Sequence, residues 1–169
     1  ILQMIVRKAT LSDAEAIGRI HVASWRETYT GIVPDEFLAA LSAERRAEQW
    51  RAGLANPESR TIVLVGEIRP GDVVGFAACG PEREGLAAYP GELYAIYLLK
   101  EAQGRGLGRA MLETAARHLA EAGHEAWMCW VLADNPTRHF YEAMGGVAFQ
   151  QKDIEIGGRT LVEVAYGWK

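Results

Sequence analysis

Cysteine is scarce, with two residues in a chain of 169. Cys79 and Cys129 both lie in apolar, strand-like runs, and read as reduced core thiols rather than a disulfide, a metal pair or a nucleophile. No apolar run approaches a membrane span, and no secretory leader is expected ahead of the fold. The expectation is a cytoplasmic protein with no membrane partner. Net charge is only −4, from 18 basic and 22 acidic residues, so no nucleic-acid partner is expected. No His, Cys, Asp or Glu cluster has metal-ligand spacing, so no metal is expected. His21 reads as a core histidine, and His118, His124 and His139 as helix-surface or helix-end residues. Asn135-Pro136-Thr137 is not a glycosylation acceptor, because proline fills its middle position. Internal repeats, linkers and low-complexity tracts are lacking as well.

What is present suits one domain spanning residues 1–169, with 49% hydrophobic and 24% charged residues. The chain opens on Ile1, and Met4 is a candidate natural start, with Ile1-Leu2-Gln3 a remnant or an upstream extension. A strand is expected over 4–9. Ser12 and Glu15 then form a capping box for a helix over 13–28. Pro34 with Asp35-Glu36 opens a second helix, and Ser42 caps a further one through Leu54. Strands follow over 61–68 and 73–79, joined by a turn at Arg69-Pro70-Gly71-Asp72, with Gly75 marking a bulge or a close backbone approach. Next come a loop over 80–91, a strand over 92–99, a helix to about Ala122 and a nearly all-apolar strand over 126–132. Asn135 caps a helix that Pro136 starts, and strands over 147–156 and 160–166 close the chain. The central strand–helix–strand unit implies a parallel pair within a mostly antiparallel sheet.

The densest signal is the elbow Gln103-Gly104-Arg105-Gly106-Leu107-Gly108, with Arg109 expected to open the helix. Its glycines let the backbone turn sharply and approach a ligand, and the helix that follows aims free N–H groups at the same place. That is a recipe for holding a phosphate or pyrophosphate. The dinucleotide pattern G-x-G-x-x-G fails here, because Arg109 and Met111 fall where the third glycine belongs. The P-loop also fails, since no glycine precedes Lys and then Ser or Thr.

Gln103-x-x-Gly106-x-Gly108 after an apolar strand resembles motif A of the GCN5-related N-acetyltransferases. Asn135-Pro-Thr-Arg-His-Phe140-Tyr141-Glu-Ala-Met-Gly145 resembles the second signature of that family, and the order of elements matches over nearly the whole chain. The stretch His21–Pro34 resembles the subgroup that holds bacterial polyamine-acetylating and similar small-amine enzymes. Lys100 and Arg138 depart from the family's frequent Pro and Ala. The resemblance implies an α/β (α+β) acyl-CoA N-acyltransferase fold, a mixed, mostly antiparallel, twisted sheet with a central parallel pair and flanking helices. It also implies acetyl-CoA as co-substrate and an acetyl group passed to a primary amine of a small molecule by direct attack. Other readings are a protein or peptide N-acetyltransferase, and a non-catalytic acyl-CoA-binding or sensory domain. A homodimer is compatible with the family.

Residue roles follow from the resemblance. Elbow amides from Gly104 to Arg109 would hold the pyrophosphate, Arg105, Arg109 and Arg138 would lie near phosphates, and Gln103 would fix the elbow. Backbone groups of Ile96, Tyr97 and Leu98 would pair with the pantetheine arm, which Asn135 also reaches. Tyr141 would protonate the leaving thiolate. Glu92 stands where histone-type relatives carry their base; the alternative is a solvated strand-end carboxylate. From period-two spacing it shares a face with Tyr94, Ile96 and Leu98. Trp25 and Tyr29, one helical turn apart, would wall the acceptor site together with Tyr94, or else pack the core.

Overall fold

A computed structural model describes residues 4–169. The reading of Ile1-Leu2-Gln3 lies outside them. Strand β1 (Ile5–Lys8) leads through a short turn to α1 (Ala14–Tyr29), α2 (Asp35–Ala40) and α3 (Ala43–Ala55). Then come β2 (Ile62–Arg69), β3 (Asp72–Pro81), β4 (Gly91–Leu98), α4 (Leu107–Glu121), β5 (Trp127–Leu132), α5 (Thr137–Ala143), β6 (Val147–Ile156) and β7 (Arg159–Trp168). The seven strands form one sheet ordered β1-β2-β3-β4-β5-β7-β6. Every neighbouring pair is antiparallel except β4 and β5, which run parallel as the intervening helix requires.

Helices cover both faces of the sheet. On one face Ile17 and Ile20 of α1 pack with Val63, Val65, Phe76 and Ala78. On the other, Leu107, Met111, Leu112, Ala115 and Leu119 of α4, with Tyr141 of α5, pack on Leu64, Val74, Ala77 and Leu93. Gly66 and Gly75 pair across β2 and β3 beneath Met111. A Cβ on Gly66 would lie 2.8 Å from the Met111 sulfur, and one on Gly75 3.3 Å from it, so these glycines let α4 lie close to the sheet.

Two local expectations shift. The box that starts the first helix is Thr10 and Asp13, not Ser12 and Glu15: Asp13 Oδ2 accepts from the Thr10 amide at 2.8 Å. Asp13 is fixed there because Arg7 grips both of its oxygens, at 2.8 and 2.9 Å. Ser42 does cap α3, its hydroxyl accepting from the Arg45 amide at 3.2 Å.

The larger shift is in β4. Ala95 pairs with Ala78 but Leu93 pairs with Cys79, so Tyr94 is an extra residue in that strand, a bulge. The side-chain phase inverts across it. Leu93, Ile96 and Leu98 pack on the α4 face, whereas Tyr94, Ala95 and Tyr97 pack on the α1 face. The single face expected for Glu92, Tyr94, Ile96 and Leu98 is therefore divided. No helix among the described residues is long and apolar enough to cross a membrane.

Candidate active site

β4 and β5 pair only at Gly91 with Trp127 and at Glu92 with Met128. Beyond that they part, and β4 leaves the pair still bonded to β3 as far as Leu98. The elbow stands at the far end of this gap. Gly104 and Gly106 have φ of 73° and 85°, the left-handed region that favours glycine. Gly106 is the residue before α4, so the helix opens at Leu107, two residues earlier than Arg109. The reason is Leu107, which is fully buried and anchors the first turn in the core. Ala110 makes the first amide bond along the helix, to the Gly106 carbonyl at 3.1 Å. The amides of Leu107, Gly108 and Arg109 precede it as the free donors of a helix N-terminus.

A cleft of about 460 Å³ lies between the elbow and the gap. Of the expected donor-site residues it gathers Ile96, Tyr97, Leu98, Gln103, Gly104, Gly106, Gly108 and Arg109. Gln103 Nε2 donates to the Leu98 carbonyl at 3.2 Å, tying the elbow to the end of β4. Arg109 pairs with Glu113 one turn on, at 3.2 Å, and Arg105 is exposed. Arg138 is committed elsewhere, donating to the Tyr166 hydroxyl at 3.1 Å and the Ala133 carbonyl at 2.9 Å. Arg105, Leu107, Asn135 and Arg138 are not among the residues lining this cleft. It also takes in residues to which the sequence assigned no part in the donor site: Ser24, Thr28, Pro136, Thr137 and Phe140. Ser24 is buried, and its hydroxyl has no hydrogen-bond partner among the described residues.

A second cavity, of about 170 Å³, shares Thr28, Ile96, Tyr97 and Thr137 with the cleft. Trp25, Tyr29, Tyr94, Asn135 and Tyr141 line it, and so do Trp130, Ile154, Ile156 and Glu163. Hydroxyls and ring N–H groups knit its wall. Trp25 Nε1 donates to the Tyr97 hydroxyl at 3.0 Å, and Asn135 Nδ2 to the Tyr29 hydroxyl at 3.2 Å. Asn135 Oδ1 meanwhile accepts from the Thr137 amide at 2.9 Å, as a helix-starting Asn does. The rings of Trp25 and Tyr29 meet edge to face, 4.5 Å between centroids. Tyr94 gives its hydroxyl to the Pro81 carbonyl.

Tyr141 comes from α5 and is buried. Burial holds its phenol well above the usual tyrosine range, with Cys129, Tyr97 and Tyr29 adding to the effect. Burial likewise raises Tyr97 and Tyr29. Both thiols are pushed up by burial, Cys79 to about 12.

Glu92 is neither solvated nor free. It is 1% exposed, and Arg83 grips it at 2.7 Å to Oε2 and 3.3 Å to Oε1, with the Arg83 amide adding a third bond at 3.2 Å. The Arg83 guanidinium in turn lies over the Tyr94 ring, 4.3 Å from its centroid. Glu92 does not line the cavity, whereas Glu163 does. The signal for Glu163 was its period-two spacing from Leu161 and Ala165 on a closing strand.

The glycine elbow and the parted parallel pair sit in a sheet whose fold is shared with solved N-acetyltransferases. The family model described as Acetyltransferase (GNAT) family matches residues 19–146. An uncharacterized N-acetyltransferase of Bacillus subtilis (strain 168), YuaI, is 39% identical over 163 residues, covering 96% of this chain and 91% of that protein. The mycothiol acetyltransferase of Paenarthrobacter aurescens (strain TC1) is 34% identical over 119 residues, 69% of this chain but only 34% of that longer protein. Among solved structures, the PaiA N-acetyltransferase of Thermoplasma acidophilum in complex with coenzyme A aligns with a TM-score of 0.73 at 20% identity, over 96% of this chain and 98% of that one. The ribosomal-protein-alanine N-acetyltransferase of Brucella melitensis aligns with a TM-score of 0.72 at 26% identity, over 97% and 98%. The chain belongs to the GNAT family of acetyltransferases.

Proposed function

We propose that this acetyltransferase takes acetyl-CoA as donor and passes the acetyl group to a primary amine of a small molecule by direct attack. One observation carries the reading: the donor cleft and the inner cavity share a wall at the β4–β5 gap, and Tyr141 lines the inner one. The residues suit the donor. The amides of Leu107, Gly108 and Arg109 and the α4 dipole would hold a pyrophosphate. The unpaired edge of β4 at Ile96, Tyr97 and Leu98 would bond an amide-bearing arm as an added strand does. The unpartnered Ser24 hydroxyl offers a further hydrogen bond in the same cleft. The coenzyme A complex of the Thermoplasma relative supports this choice of donor.

The amine nitrogen attacks the acetyl carbonyl carbon; the C–N bond forms as the C–S bond breaks. The departing thiolate takes its proton from the Tyr141 hydroxyl, which burial keeps protonated at neutral pH. With both thiols buried and raised, no cysteine carries the acyl group on the way. Asn135 acts through Tyr29 and the start of α5. Glu92 we assign to holding the 82–90 loop through Arg83. The narrow inner cavity, about 170 Å³, favours a small amine end over a bulky one.

The test is thiol release from acetyl-CoA across polyamines, amino acids, aminoglycosides and peptides. Turnover with small amines and none with peptides is expected. Turnover with peptides alone favours the protein-amine reading. Tight acetyl-CoA binding with no release for any amine favours a sensory domain.

A further inference from the structure

The inner cavity is walled by aromatic rings: Trp25, Tyr29, Tyr94 and Trp130. Among its lining residues there is one carboxylate, Glu163, and no Lys, Arg or His. Glu163 lies on β7 opposite Leu132 of β5, its side chain only 12% exposed. An anionic group with aromatic faces around it is the chemistry that selects an ammonium. The protein already displays this contact once. The Lys152 ammonium, from β6, lies 4.2 Å from the Trp130 ring centroid and 3.4 Å from Glu163 Oε1. It also pairs with Glu84 in the loop after β3.

We propose that Glu163 is the acceptor-binding carboxylate: it holds the acceptor's ammonium against the aromatic wall and takes the proton that the nitrogen must lose before attack. The acceptor is therefore a cationic amine with a slim reactive end. This deepens, and rests on, the reading of a primary-amine acceptor. One proton passes from the ammonium to Glu163, leaving a neutral amine and a carboxylic acid. The nitrogen lone pair forms the C–N bond as the C–S bond breaks. The thiolate takes the Tyr141 proton, and the remaining surplus proton on the new amide nitrogen restores Tyr141. Glu163 returns its proton to solvent, so one proton leaves per turnover. The groups facing Glu163 set its readiness. Burial raises its affinity for a proton, Lys152 lowers it, and the more distant Glu84 and Glu92 raise it.

The experiment measures thiol release for the wild type and Glu163→Gln with n-butylamine and 1,4-diaminobutane between pH 5 and 9. The expected result is a kcat/KM for the amines lower by ten-fold or more in Glu163→Gln. The acidic limb of its pH profile is lost, while the KM for acetyl-CoA stays within two-fold. Glu163→Asp, which keeps the charge, is expected to fall between them. A separate arm in the wild type uses butyltrimethylammonium, which has the charge but no proton to give, against neutral n-butanol. Competition with the amine by the cation and not by the alcohol supports the proposal. Equal inhibition by the two overturns it, as does a Glu163→Gln enzyme with unchanged amine kinetics. In both cases the wild type still acetylates amines and the function reading stands. A wild type that binds acetyl-CoA yet releases no thiol with any amine overturns both together.

Discussion

Asn135 donates from Nδ2 to the hydroxyl of Tyr29, 3.2 Å away and 106 residues earlier in the chain. The bond joins the end of α1 to the start of α5, and so one wall of the inner cavity to the helix that carries Tyr141. Both side chains are buried. Tyr29→Phe leaves the Asn135 amide without an acceptor, at a cost of about 1–3 kcal/mol. Asn135→Ala also loses the bond to the Thr137 amide, worth about 1 kcal/mol. The double variant is expected to lose less than the sum of the two, because the second change removes a group already stranded. Urea unfolding of the four proteins measures the coupling, and strict additivity counts against the bond.

Tyr141→Phe removes one oxygen from a buried site. If the hydroxyl is the proton source, kcat falls by about 10²-fold or more, while acetyl-CoA binding is unchanged. Steady-state thiol release with binding measured in parallel checks this. Unaltered turnover takes the role from Tyr141.

The pairing of Glu92 with Arg83 separates two accounts of Glu92. Arg83→Met strands the buried carboxylate with only the Arg83 amide still donating to it, so about 3 kcal/mol of stability is expected to go. Glu92→Gln is expected to leave the shape of the pH–rate profile as it was. A profile that loses its acidic limb in Glu92→Gln restores this residue as the base.

His21 links stability to pH. Its Nδ1 accepts from Trp50 Nε1 at 3.2 Å, and its ring packs on Phe76 and stacks on Tyr97. Burial, with a lesser push from Arg46, lowers its pKa from 6.5 to about 4. The unfolded chain therefore takes up a proton at a pH where the folded one does not. The stabilisation is fully present above pH 6.5 and is lost as pH falls toward about 4, a decline of about 3 kcal/mol. Urea midpoints at pH 7 and pH 4.5 read it directly. In His21→Gln the part of the decline due to this residue is expected to disappear.

The elements were legible because their ends carry local chemistry. Ser42 caps α3, Asn135 opens the last helix, and the glycines of the elbow are where the backbone turns left-handed. The part of the larger cleft built from β4, the elbow and α4 was legible for the same reason, since those residues are contiguous in the chain, whereas Ser24, Thr28 and Phe140 come from elsewhere. What escaped depends on partners far along the chain. Nothing near Glu92 announces that Arg83 will fold back over it, and nothing near Arg138 announces Tyr166. Glu163 reaches the cavity only because β7 inserts between β5 and β6. The bulge at Tyr94 has no Gly or Pro of its own to mark it, so period-two alternation along β4 does not reveal the change of phase.

That extra residue in β4 has a consequence for anyone recombining this protein with its relatives. Upstream of Tyr94 the strand keeps step with β5; downstream it keeps step with β3 alone, in the opposite phase. A chimera joined within β4 has to be aligned by partners on β3 rather than by counting residues, with Leu93 set against Cys79 and Ala95 against Ala78. Deleting Tyr94 would close the bulge and leave Ile96 toward α4 and Tyr97 toward α1, but the ring beneath Arg83, one aromatic wall of the inner cavity, would be gone.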